Sequence, residues 1–115
     1  ARWQAGLYAN PRDIGCHDWA QFYIEPYGWL YADCSFGGGA YRDDVKERRE
    51  FYFGNLDPFR IPMNSEFGWE FTPPMKRPGS DPYDNQTGEA EYGDRALIRD
   101  ELDTAHEIIE IREIE

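Results

Sequence analysis

The sequence predicts a mainly β domain, an antiparallel sheet with one short helix. Three observations predict it. Aromatic residues make up 17% of the 115-residue chain, with 4 Trp, 8 Tyr and 7 Phe, and such side chains fill cores and clefts. The 11 Gly and 8 Pro cut the chain into short segments, which suits strands and turns better than long helices. The aromatic runs of the first half are each bounded by turn residues, the pattern of strands in a hairpin.

Taken in order, residues 2–9 (RWQAGLYA) form a first strand, closed by the turn-forming Asn10-Pro11. Residues 17–24 (HDWAQFYI) and 28–34 (GWLYADC) form the next two, joined by a three-residue loop, Glu25-Pro26-Tyr27. Gly37-Gly38-Gly39 is expected to be a flexible connector. Residues 41–50 (YRDDVKERRE) are polar and free of Gly and Pro. They form the short exposed helix, with Asp43 and Asp44 near its start and Arg48 and Arg49 near its end to suit the macrodipole. Residues 51–53 and 59–64 read as two strands around the turn at residues 54–58, and residues 68–72 as a third. Residues 73–88 read as loop. The tail is ambiguous between helical and strand spacing, but the Ile density of residues 106–114 (HEIIEIREI) favours a final strand.

Charge excludes some function classes. With 12 Lys and Arg against 23 Asp and Glu, the chain is −11, and a binder of nucleic-acid backbones needs the opposite sign. Anionic membrane surfaces are disfavoured for the same reason, and no apolar run reaches the ~18 residues of a membrane span. Residues 81–115 carry 3 basic and 12 acidic side chains, so the acidity lies mostly there. The chain therefore divides into residues 1–80 and an acidic extension, 81–115, expected to pack on the same domain as a solvated surface. The chain opens on Ala1-Arg2-Trp3 without Met, and is expected to be a fragment or processed form.

His17 and Asp33 are the candidate chemical pair. If residue 24 faces residue 28 across the hairpin, Asp33 faces Trp19 and His17 faces Ser35. His17, Trp19 and Asp33 then share one side of the sheet. His17 and Asp33 become diagonal neighbours, within reach if the strands twist or bulge together. A carboxylate on one imidazole nitrogen leaves the other free as a base. A His and an Asp in a hairpin are also a common surface or structural pair. Cys16 and Cys34 each adjoin a member of the pair, so in a regular strand each thiol points to the other face. Both read as buried small hydrophobes, although one disulfide between them is open. Cys16, His17, Cys34 and His106 lack metal-ligand spacing, so neither metal nor cofactor is expected.

The residues Ala1-Arg2-Trp3, Gly6, His17-Asp18-Trp19-Ala20, Tyr23, Tyr27-Gly28-Trp29 and Asp33 resemble the second half of a bacterial transglutaminase-like domain. Residues 51–61 (FYFGNLDPFRI) resemble the segment that follows in many such proteins, so the resemblance covers residues 1–72. It implies a papain-like fold, α+β when intact, in which a Cys on a helix N-terminus packs against a sheet carrying His and Asp. The implied activity is acyl transfer or amide hydrolysis on peptides or proteins through a thioester. His17 matches the family's catalytic histidine and Asp33 its aspartate. The nucleophilic Cys would lie upstream of this chain, so residues 1–115 alone are expected to be inactive.

Trp19 and Trp29 are candidates to line the cleft, with core packing as the other reading. Family habit implies an extracytoplasmic bacterial location, at the periplasm or surface. The alternative is a non-catalytic module on the same fold, binding carbohydrate or peptide through exposed Trp and Tyr. The upstream part of the protein is an expected partner. Self-association over open strand edges is a further possibility.

Overall fold

The computed structural model describes residues 1–66, 70–77 and 90–114, apart from the side chain of Arg99. Five antiparallel strands form the main sheet: β1 (Arg2–Asn10), β2 (Asp13–Ile24), β3 (Gly28–Ala32), β4 (Phe53–Gly54) and β5 (Arg60–Asn64). Their order across the sheet is β4-β3-β2-β1-β5. Two short helices, α1 (Cys34–Arg42) and α2 (Lys46–Phe51), connect β3 to β4 and pack on each other. A separate small hairpin pairs β6 (Glu91–Tyr92) with β7 (Arg95–Ala96). The mainly β, antiparallel expectation is met, with two α-helices among the described residues in place of one. No described helix is long and apolar enough to cross a membrane.

The β1–β2 turn is tighter than the sequence suggests. Asn10 pairs with Asp13 across Pro11-Arg12, and Asn10 Oδ1 accepts a hydrogen bond from the Arg12 N–H at 2.9 Å. Strand β2 therefore starts at Asp13, four residues before the expected start at His17. The β2–β3 register is the expected one, Ile24 opposite Gly28 and Ala20 opposite Ala32. Gly28 closes that hairpin at φ +84°, a left-handed conformation that suits glycine.

β3 ends at Ala32, not at residue 34. Asp33 has extended φ/ψ, and its carboxylate caps α1 by accepting the Phe36 N–H at 2.8 Å. The three glycines expected to be a flexible connector lie inside α1. The cap at one end and packing on α2 override their weak helix propensity. The helix expected over residues 41–50 is broken near Asp44, at φ +55°, so its two halves belong to different helices. Phe51 ends α2, and of the strand expected over residues 51–53 only Phe53 pairs with β3, joined there by Gly54 from the expected turn.

β5 lies where expected and pairs with β1, with a register shift between Ala5 and Gly6. Gly6 permits that approach. A Cβ there would run into the carbonyl oxygen of Ile61, with Met63 N at 3.0 Å. Of the strand expected over residues 68–72, residues 68 and 69 lie outside the described set, and residues 70–72 form none. Of the expected loop, residues 73–77 are irregular, and residues 78–88 lie outside the described set. The strand expected over residues 106–114 does not form. Three of its four Ile side chains face solvent, Ile109 at 93%, Ile111 at 56% and Ile114 at 97% exposure. Dense β-branching favours a strand only where a neighbour completes the ladder, and among the described residues none pairs with this segment.

The enclosed core among the described residues is small: Ala5, Trp19, Ala32 and Ala40, with Asp33 as the buried charged residue. One sheet face concentrates the site. Gln4, Gly6 and Tyr8 on β1 stand beside Trp19 and His17 on β2, and Arg60 on β5 lies opposite Tyr8. Alternation along each strand places all of these side chains on the same side.

Candidate functional site

His17 sits mid-strand, opposite Gly6, which brings no side chain of its own against the ring. Asp33 reaches it from the N-cap of α1. The distance from His17 Nε2 to Asp33 Oδ2 is 2.8 Å. The expected strand pairing of Asp33 with Trp19, and of His17 with Ser35, is absent because β3 has ended. The Asp33 N–H donates to the Tyr52 carbonyl at 3.0 Å, and the chain turns into α1. That turn, rather than a bulge or twist between strands, brings the carboxylate over the imidazole.

The Asp33 side chain is fully buried, with 0% relative exposure, yet each oxygen has a donor. Oδ1 accepts the Phe36 N–H at 2.8 Å; Oδ2 accepts Arg60 Nη1–H at 2.7 Å as well as His17. Arg60 also donates to Asp57 Oδ2 through Nε at 3.0 Å and Nη2 at 2.7 Å. Asp57 in turn accepts the Tyr52 hydroxyl at 3.0 Å and the Phe59 N–H at 3.1 Å. Aromatic rings surround the guanidinium, with Phe36 at 4.6 Å and Tyr8 at 4.8 Å from its central carbon, and Trp19 at 5.5 Å. Phe36 lies against the imidazole too, ring centroids 4.8 Å apart.

The ionisation states follow from these contacts. Burial pushes the Asp33 carboxyl up, but the His17 hydrogen bond, the Phe36 N–H and the neighbouring cations outweigh it, and its pKa is lowered. Asp57 is lowered in the same way, against burial, by Arg60, the Phe59 N–H and the Tyr52 hydroxyl. Burial disfavours the Arg60 cation, yet Asp57 and Asp33 more than compensate and its pKa is raised. Burial and the Asp57 carboxylate push the Tyr52 phenol up to about 12. Because Asp33 is ionised and can only accept, neutral His17 carries its proton on Nε2 and donates it.

Nδ1 of His17 is then the free lone pair, and no hydrogen bond among the described residues reaches it. The buried groups Asp33, Arg60 and Asp57 together carry one negative charge, so a proton arriving at Nδ1 brings the cluster to neutrality. The arrangement can hold an imidazole in one tautomer, take up a proton at Nδ1 and return it.

Trp19 is 3% exposed and donates its indole N–H to Gln4 Oε1 at 2.8 Å, so it packs beneath the site. Trp29 is 43% exposed on β3, with the Arg2 guanidinium 3.5 Å from its ring centroid and Tyr23 edge-on at 5.5 Å. It pairs with Tyr23, six positions along β2 from His17, about 20 Å at the usual strand rise. The structure thus brings His17, Asp33 and Trp19 together and leaves Trp29 apart.

Both cysteines are free thiols, Cys16 half-buried and Cys34 exposed, so the reading of both as buried is corrected. Cys34 escapes burial because it opens α1 instead of extending β3. It borders a shallow, mostly apolar hollow of about 240 Å³ with Gly37, Tyr41, Arg49 and Phe53. Cys16 lies on the opposite sheet face from His17, and among the described residues neither thiol hydrogen-bonds to the imidazole. No three His, Cys, Asp or Glu side chains among the described residues gather as a metal site.

Arg60, Asp57, Tyr52 and Phe36 are members of the cluster that sequence reasoning did not single out. One signal was available for Arg60: a lone cation at the head of a strand, three residues after an aspartate. Comparisons with protein-family models, curated proteins and solved structures found no match to this chain.

Proposed function

We propose that His17 and Asp33 are the base half of a thiol acyl-transfer site acting on amide bonds of peptides or proteins, in the manner of transglutaminase-like enzymes. The observation that supports this reading is the 2.8 Å contact between His17 Nε2 and a fully buried Asp33, which leaves Nδ1 open. The thiol is supplied from outside residues 1–115, upstream in the polypeptide, because Cys16 and Cys34 lie elsewhere. The papain-like arrangement of helix and sheet belongs to the same proposal.

In this mechanism Nδ1 takes the thiol proton as sulfur attacks the amide carbonyl. The imidazolium is stabilised by the Asp33 carboxylate, and it then gives its proton to the departing amine as the C–N bond breaks. A thioester remains. Water or a second amine loses a proton to Nδ1 as it attacks the thioester, and the thiol is regenerated. Asp33 keeps its charge throughout and fixes the ring.

The test is alkylation of thiols by iodoacetamide at neutral pH in the protein extended upstream of residue 1. One upstream thiol should react fast, and His17→Ala should slow it by about 10²–10⁴, the usual scale for loss of a general base. Equal rates in wild type and His17→Ala would overturn the proposal and favour the non-catalytic binding module.

A further inference from the structure

We infer that Arg60 is a positioning residue for His17, acting through Asp33 and itself held by Asp57 and Tyr52. This rests on the acyl-transfer reading only for its purpose, since the contacts belong to the chain itself. A carboxylate that caps a helix through one oxygen keeps freedom about its last torsion, which has broad, roughly two-fold wells. In Asp33 the Phe36 N–H fixes Oδ1. The second oxygen, the one facing His17, is fixed by Arg60 Nη1 at 2.7 Å. Oδ2 is therefore held at a set place and with a set charge before the imidazole meets it.

Arg60 can do this because its own position is fixed. Nε and Nη2 both donate to Asp57 Oδ2, and Asp57 is held by the Phe59 N–H and the Tyr52 hydroxyl. The guanidinium plane is enclosed by Phe36, Tyr8 and Trp19. Phe36 also touches the imidazole, so one side chain packs both ends of the relay. The two Arg60 hydrogen bonds to Asp57, made together with the one to Asp33, cannot be reproduced by an ammonium, which is a point donor without a planar fork. A buried ion pair of this kind contributes little net stability over apolar packing. Its placement on the oxygen used by His17 gives it a second role, keeping the ring proton on Nε2 and the lone pair on Nδ1.

The experiment reads the imidazole directly, by ¹⁵N-resolved NMR of the full chain. Wild type should show the proton on Nε2, in slow exchange with water. Arg60→Met combined with Asp57→Leu removes one cation and one anion together, so the net charge of the cluster is kept and Asp33 is left with the Phe36 N–H and His17. Its sheet amides should stay protected while Nε2–H exchange rises about tenfold, the scale of one hydrogen bond to a charged group. Arg60→Lys keeps the charge and tests the fork; it should also loosen the Nε2 proton. A proton on Nδ1 in wild type would overturn the inference, as would a folded variant whose Nε2–H signal matches wild type. No thiol enters these readings. Absence of a His17-dependent thiol would therefore refute the acyl-transfer reading and leave this one standing.

Discussion

Replacing Asp33 by Asn changes one oxygen to an amide nitrogen and leaves the shape intact, so its effect isolates the charge and the donor count. The carboxylate accepts three hydrogen bonds, Phe36 N–H on Oδ1 and Arg60 and His17 on Oδ2. An amide has one oxygen. If its nitrogen takes the Oδ1 place, it faces the Phe36 N–H, two donors together. If it takes the Oδ2 place, it faces Arg60, and His17 can stay bonded only by moving its proton to Nδ1. Either arrangement leaves a buried donor unmet and Arg60 with one carboxylate. Removing one partner of a buried pair costs about 3–5 kcal/mol. The lost cap, about 0.5–2 kcal/mol, overlaps with that figure and is not added.

A loss of about 3.5 kcal/mol is a large share of the ~5–15 kcal/mol stability of a small domain. With a urea dependence near 2 kcal/mol per molar, the unfolding midpoint of Asp33→Asn should fall by about 1.5–2 M at pH 7. The pH dependence carries its own sign. Asp33 is lowered from 3.8 in the folded chain, so its contribution is complete above 3.8 and is lost as pH falls through the folded value. The gap between wild type and Asp33→Asn should therefore narrow below 3.8. A midpoint shift under about 0.5 M at pH 7, or a gap that widens on acidification, would refute the reasoning.

Other consequences follow from the same contacts. Gly6→Ala pushes a methyl into the Ile61 carbonyl and should destabilise the chain by about 1–3 kcal/mol, with β5 amides losing hydrogen-exchange protection first. Trp19→Ala should cost about 3–5 kcal/mol in urea unfolding, whereas Trp29→Ala should cost under about 1 kcal/mol, because only the former is enclosed. In an alkaline absorbance titration one tyrosine, Tyr52, should ionise near 12 instead of 10. Because that value is raised, its stabilising contribution is full below pH 10 and is lost as pH climbs through 12. Tyr52→Phe should remove the late component.

Much of the sheet was legible because its signals are local. Turn residues at Asn10-Pro11 and at Glu25-Pro26-Tyr27 bracket aromatic runs, and the β2–β3 register followed from the length of the second loop. The same register put His17 and Asp33 on one side, and the structure brings them into contact. What escaped the sequence is what depends on distant partners. Gly37-Gly38-Gly39 carries no helical signal of its own, and α1 exists because Asp33 caps it and α2 packs on it. The Ile-rich tail carries a strong local strand signal but lacks a neighbour among the described residues. Arg60 lies 27 residues from Asp33 and 43 from His17, joined only through the β1–β5 pairing, which no spacing rule reveals.

The central claim is that a thiol from outside residues 1–115 meets the open nitrogen of His17. A structure of the protein extended upstream of residue 1 tests it directly. The account predicts a cysteine sulfur within about 4 Å of His17 Nδ1, with the 2.8 Å contact from Nε2 to Asp33 unchanged. Nδ1 facing a backbone donor, or closed off by apolar side chains, would contradict it.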